Sequence, residues 1–313
     1  MKILKLALAA VACAQPAVAC DICSIYSATE ARVGKGFFAG VAEQFTYYGT
    51  LQENGREVPN PTGQYLDSSI SQLFGGYNFN NRFGVQFTMP LIYRSFKRPE
   101  GFSIDRGTES GLGDVSLIGK YLAYRHFTSD ATILWNVLGG IKFPTGNTDR
   151  IKEEFNEVEV PGAPVSGIHG HDLTLGTGSF DGIIGTGVYL RWKHLFLSGN
   201  GQYTIRTEGA FDYQFANDVT WNGGPGVLLI MNDDFTLSLQ ANISGEFKKT
   251  DTFQGNPADD TGITAVYVGP EFSCSWRENL SAEIGVDIPV SIDNTALQAV
   301  PDYRVHAALS WHF

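Results

Sequence analysis

What the chain has little of narrows its class first. Beyond residue 19 there is no run of 18 apolar residues, which excludes a membrane-spanning helix. Cations are scarce: 22 Lys and Arg stand against 33 Asp and Glu, a net charge of −11 that argues against nucleic acid as a partner. Cysteines number four, and Cys13 falls in the leader described below. Cys20 and Cys23 form a Cys-x-x-Cys pair, but Ser24 follows where covalent haem attachment needs His, so that chemistry is disfavoured.

What is present is glycine (36), aromatic residues (12%) and a repeated alternation of apolar and polar residues. In Phe235–Phe247, Phe235, Leu237, Leu239, Ala241, Ile243 and Phe247 point one way, and Ser238, Gln240, Asn242, Ser244 and Glu246 the other. Leu280–Val290, Phe83–Tyr93 and Ile133–Phe143 repeat the pattern. Twelve such strands start near 36, 64, 82, 112, 131, 181, 194, 218, 234, 262, 279 and 302.

The connections alternate in length. Those at Asn80-Asn81, His126–Asp130, Lys193, Asn232-Asp233 and Arg277–Asn279 are tight. Residues 51–63, 98–111, 144–180, 207–217, 248–261 and 293–301 read as long polar loops. The expectation is an all-β chain: a closed antiparallel transmembrane barrel, with short periplasmic turns and long extracellular loops. A soluble sandwich would leave the apolar outer faces in water. Closure requires Gly36–Thr50 to pair with Tyr303–Phe313, because an open edge in lipid leaves backbone groups unsatisfied.

Both ends support this reading. Lys2 and Lys5, an apolar stretch from Leu6 to Cys13, and Ala17-Val18-Ala19 have the order of a secretory signal peptide over residues 1–19. Residues 20–35 would then be a periplasmic leader, and 36–313 the barrel. At the far end Tyr303, Val305, Ala307, Leu309, Trp311 and Phe313 share one face of a strand. That strand, closed by a terminal Phe, resembles the insertion signal of bacterial outer-membrane barrels. The implied location is the outer membrane of a Gram-negative bacterium, and the implied partners are outer-membrane lipid and the barrel-insertion machinery.

With apolar faces toward lipid, the lumen receives Arg94, Asp114, Lys120, Lys142, Asp181, Arg191, Arg206, Glu246, Glu271, Glu283, Asp287 and Arg304. Their mixed signs point to a polar pathway without strong ion selectivity, or to a bore plugged by its own salt bridges. The 144–180 loop could enter the lumen as a constriction or stand outside as a flap. Its His169, His171 and Asp172 are weak metal candidates. Cys20 and Cys23 could form a disulfide, hold a metal or do redox work, and Cys20 alone could carry a lipid. No cofactor is required. The histidines lack Ser and Asn partners at outward positions, so no enzymatic activity is expected.

At the motif level the chain resembles the family of outer-membrane transporters named for the meta-pathway of phenol degradation. The resemblance is carried by Gly111-Leu-Gly-Asp114, Phe143-Pro-Thr-Gly146 and Leu175-Gly-Thr-Gly-Ser179 with Asp181. It implies uptake of a small solute, apolar or aromatic in class. The leader alternatively implies a metal-binding or electron-transfer accessory, and a filled lumen a structural or adhesive barrel.

Overall fold

A computed structural model describes residues 35–155, 160–277 and 279–313. Residues 1–34, which carry the expected signal peptide and Cys20 and Cys23, lie outside the described residues.

Among the described residues seventeen strands follow one another: β1 (Gly36–Glu53), β2 (Arg56–Val58), β3 (Tyr65–Asn78), β4 (Phe83–Glu100), β5 (Ser103–Leu112), β6 (Ser116–Phe127), β7 (Ala131–Lys142), β8 (Asp181–Trp192), β9 (Leu195–Ile205), β10 (Tyr213–Gln214), β11 (Asp218–Met231), β12 (Phe235–Lys248), β13 (Asp251–Phe253), β14 (Asn256–Ala258), β15 (Ile263–Trp276), β16 (Leu280–Asn294) and β17 (Leu297–His312). Twelve of them form the wall, in the order β1-β3-β4-β6-β7-β8-β9-β11-β12-β15-β16-β17. β17 returns to β1 over Phe38↔His312 to Glu53↔Leu297, so the sheet has no open edge in the membrane. Among the described residues no helix is long and apolar enough to cross a membrane.

Alternation decides which face each side chain takes. Val41, Leu73, Phe87, Leu91, Ile141, Ile184, Ile243, Phe272, Ile284 and Ile288 are exposed on the outside, as a belt suited only to lipid. Phe37, Phe79, Phe127, Trp192, Trp276 and Phe313 crowd the rim with the short turns, where aromatic rings sit at the membrane interface. One acid interrupts the belt. Glu43 shares the outer face with Val41 and Phe45, and the hydroxyls of Ser69 and Ser71 on β3 donate to its carboxylate.

Segments read as loops hold strands. Residues 98–111 are not a loop: β4 continues to Glu100 and β5 folds back on it from Glu100↔Ser103 to Leu91↔Leu112. Nor are residues 293–301: β16 ends at Asn294 and β17 begins at Leu297. Residues 207–217 and 248–261 contain β10, β13 and β14, which make a small separate sheet above the barrel.

Candidate site in the barrel lumen

The long segment between β7 and β8 enters the barrel. A helical turn at Gly170–Leu173 and the chain around it pack on the inner wall. Ile168 and Leu173 meet Tyr48, Leu66 and Phe96, while Leu175 meets Ile70 and Ile92. Polar contacts fix the path as firmly. Arg94 Nη1 donates to the carbonyls of Asp172 and Thr174, the latter at 2.8 Å. Gln64 Nε2 donates to the Val165 carbonyl at 2.9 Å, its Oε1 accepts from the Gly167 amide at 2.9 Å, and the Ala299 amide donates to the Gly167 carbonyl at 2.7 Å. These bonds satisfy backbone that would otherwise be stranded inside the bore.

The segment is pinned at both roots by one carboxylate. Asp114, in the break between β5 and β6, accepts from the Gly146 amide at 2.9 Å and the Thr177 amide at 2.8 Å. Gly146 and Gly176 allow this: a Cβ on Gly176 would lie 2.7 Å from the Gly146 Cα, and one on Gly146 2.5 Å from the Leu175 carbonyl oxygen. The two backbones touch where only hydrogen fits.

From Asp114 a chain of buried charges crosses the wall. Lys142 lies 3.0 Å from Asp114 and 2.7 Å from Asp181. Arg206 lies 2.9 Å from Asp181 and 2.6 Å from Asp218. Each charge has an opposite neighbour, which is the condition for keeping ions out of water. A second network faces it. Arg304 pairs with Glu246 at 2.5 Å and stacks on the Tyr267 ring at 4.1 Å, and Lys248 pairs with Asp251 at 2.6 Å. Below it His306 stands 3.4 Å from Glu271 and 3.7 Å from Asp287. Its ring lies over Gly285, where a Cβ would come 2.4 Å from Nε2.

Toward the periplasmic rim the lining mixes separate charges with a row of hydroxyls. Lys120 donates to Gln86 at 2.9 Å, Arg191 bonds Thr132 at the rim, and Glu283 faces the bore half-buried. Thr236, Ser275, Ser281 and Ser310 stand side by side on four neighbouring strands, in register Thr236↔Ser275, Ser275↔Ser281 and Ser281↔Ser310. Ser281 and Ser310 hydroxyls are 2.6 Å apart, as are Ser238 and Ser273 one row above. Phe38, Ala42, Phe74 and Ala308 make an apolar cluster beside this row.

The two histidines and Asp172 lie in the inserted segment. His171 is buried, with Nδ1 3.0 Å from Glu154 and Nε2 3.4 Å from Asp172, and His169 stands 3.3 Å from Asp260. Burial opposes charging His171, but Asp172 and Glu154, with Asp260 beyond, outweigh it and hold its pKa well above the ordinary imidazole value. Among the described residues no group of three or more His, Cys, Asp and Glu is arranged to hold a metal. Cys20 and Cys23 fall outside them.

Several members of these networks escaped sequence reading. Asp218 and Lys248 share the inward parity of Asn222 and Glu246, a signal that could have found them. Asp251 and Glu154 lie outside the wall strands and carried no such signal.

No family model matches the chain, and no curated protein matches it. Solved structures do. An outer membrane channel from Pseudomonas putida F1 superposes with a TM-score of 0.62 at 14% identity, covering 93% of this chain and all (100%) of that one. The β domain of the Bordetella autotransporter Brka gives 0.48 at 9% identity, over 90% and 100% of the two chains. The translocator domain of the autotransporter NalP from Neisseria meningitidis gives 0.41 at 12% identity, over 90% and 89%. The likeness to the first of these is one of fold: the chain is a closed twelve-strand barrel of the bacterial outer membrane.

Proposed function

We propose that the protein is an outer-membrane channel for a small solute, constricted where the 144–180 segment crosses its bore. One observation carries this reading: the obstruction belongs to an inserted connection, while the wall behind it is polar along its height. Lys120 with Gln86, Asn200 with Asn222 and Ser198 with Gln240 line that wall at the depth of the lipid belt. The class of small apolar or aromatic solutes follows from the family resemblance. The Phe38, Ala42, Phe74 and Ala308 cluster inside the periplasmic end supports it.

The test is single-channel conductance of the refolded chain beside a variant in which residues 148–172 are replaced by a short glycine linker. Discrete small steps from the intact chain and larger ones from the variant are expected. Circular dichroism checks that both are folded. Silence from both folded proteins, in bilayers that pass current through a control porin, would overturn the reading.

A further inference from the structure

The outer face of the wall carries cations of its own at its extracellular end. By alternation that face receives Leu91, Tyr93, Ser95 and Lys97 from β4, and Arg106, Thr108, Ser110 and Leu112 from β5. The register sets them in rows: Leu91 beside Leu112, Tyr93 beside Ser110, Ser95 beside Thr108 and Lys97 beside Arg106. The column is graded. Leu91 and Leu112 are exposed in the lipid belt, and Tyr93 is exposed at the height where aromatic rings meet the interface. Hydroxyls follow, and the two cations stand at the top.

Like charges directly opposite each other on neighbouring strands repel and weaken the pairing. Neither cation here has an acid to offset it. Lys97 Nζ donates to the Thr62 carbonyl, Arg106 is exposed, and among the described residues no carboxylate lies within ion-pair distance of either. The acids of β5 turn the other way: Asp105 stands 3.2 Å from Arg98, and Glu109 2.5 Å from Arg150. On the outer face of β3, β4 and β5 the one acid is Asp67, a row lower beside Ser95. The top row stays positive.

Such a row fits a phosphate, with the guanidinium fork on two oxygens and the ammonium as a point charge. The rows beneath it identify the source. A free phosphate makes no use of them, whereas a lipid with a phosphorylated sugar head uses them all. Its acyl chains would run along Leu91 and Leu112, and its sugar would meet the hydroxyls of Ser95, Thr108 and Ser110. The outer leaflet of a Gram-negative outer membrane is built of such a lipid.

We propose that this face binds a phosphorylated glycolipid of the outer leaflet, lipid A in class, with Lys97 and Arg106 on one of its phosphates. The bound anion relieves the repulsion between the two cations and fastens the β4–β5 extension to the membrane surface. The site does not depend on which solute crosses the bore.

The experiment is titration of the full chain, folded in detergent micelles, with fluorescent lipid A carrying both phosphates, in buffer containing EDTA. Saturable binding is expected. It should weaken about thirty-fold in Lys97→Gln with Arg106→Gln, about five-fold for each cation, and persist in the charge-keeping exchange K97R with R106K. Equal affinity for enzymatically dephosphorylated lipid A would overturn the site. So would unchanged affinity in the folded double variant, or displacement of the lipid by an equal concentration of inorganic phosphate. Binding that requires Mg²⁺ and vanishes in EDTA would assign the phosphate to Asp67 through a bridging cation, and overturn the direct pair. Heat-dependent gel mobility shows whether each variant is folded. Should the double variant not fold, the wild-type comparison of phosphorylated with dephosphorylated lipid decides alone.

Discussion

At the residue scale the decisive side chain is Asp114. Its two oxygens serve the Gly146 amide, the Thr177 amide and hydroxyl, and Lys142, so both roots of the inserted segment depend on it. Asp114→Ala leaves a buried ammonium facing Asp181 alone and two amides without their acceptor. The expected cost is about 3–5 kcal/mol, read as a lowered urea midpoint in equilibrium refolding. Asp114→Asn keeps an acceptor and should fall between the two. The position of Asp114 was legible, because Gly111-Leu-Gly-Asp114 and the parity of Lys142 and Asp181 put all three charges on the inside. Their partnership was not. Strand parity tells which face a residue takes, but pairing across β6, β7 and β8 depends on a register that one sequence does not print.

At the scale of elements, the inserted segment has a built-in response to pH. His171 is held protonated between Glu154 and Asp172, with a folded pKa above its unfolded value of about 6.5. Its contribution is therefore complete below that unfolded value and is lost as pH rises through the raised folded one. Proteolytic cleavage within 144–180 should stay slow at mildly acidic pH and accelerate in alkaline buffer. His171→Gln should be cut at a rate independent of pH. A wild-type rate that is flat with pH would show that His171 does not hold the segment.

The wall strands in lipid were readable because one face had to be apolar. The β4–β5 extension was not, since Asp105, Arg106 and Glu109 fall on both faces of β5 and break the apolar alternation. That is permitted because it rises beyond the hydrocarbon. The start of β17 was hidden by Pro301, which reads as a loop residue. It sits at a register shift opposite Tyr48, where a missing N–H is tolerated, and Asp302 accepts from the Gly49 amide at 2.7 Å.

At the scale of the whole molecule, closure of β17 on β1 gives every membrane-embedded strand two neighbours. Removing residues 311–313 deletes the last pairings on both sides of β17, Phe38↔His312 and Ala39↔Trp311 with β1 and Leu280↔Trp311 with β16, with the amide bonds of His312 to Asn279 and Phe313 to Phe37, and leaves the rest of a long ladder. Refolding into micelles should therefore survive with a modest loss of stability. If these residues also address the chain to the insertion machinery, the yield of folded barrel in bacterial outer membranes should fall far more than the micelle yield. Equal losses in both settings would assign the terminal residues to closure alone.

The row of Thr236, Ser275, Ser281 and Ser310 has a further consequence. A hydroxyl gives a hydrogen bond as readily as it takes one, and it rotates to do either. All four can turn together, so the row has no fixed polarity, unlike the carboxylates and guanidiniums above it. The row itself therefore sorts a molecule neither by its donors nor by its acceptors, and any discrimination in that half of the bore is left to Lys120, Arg191 and Glu283.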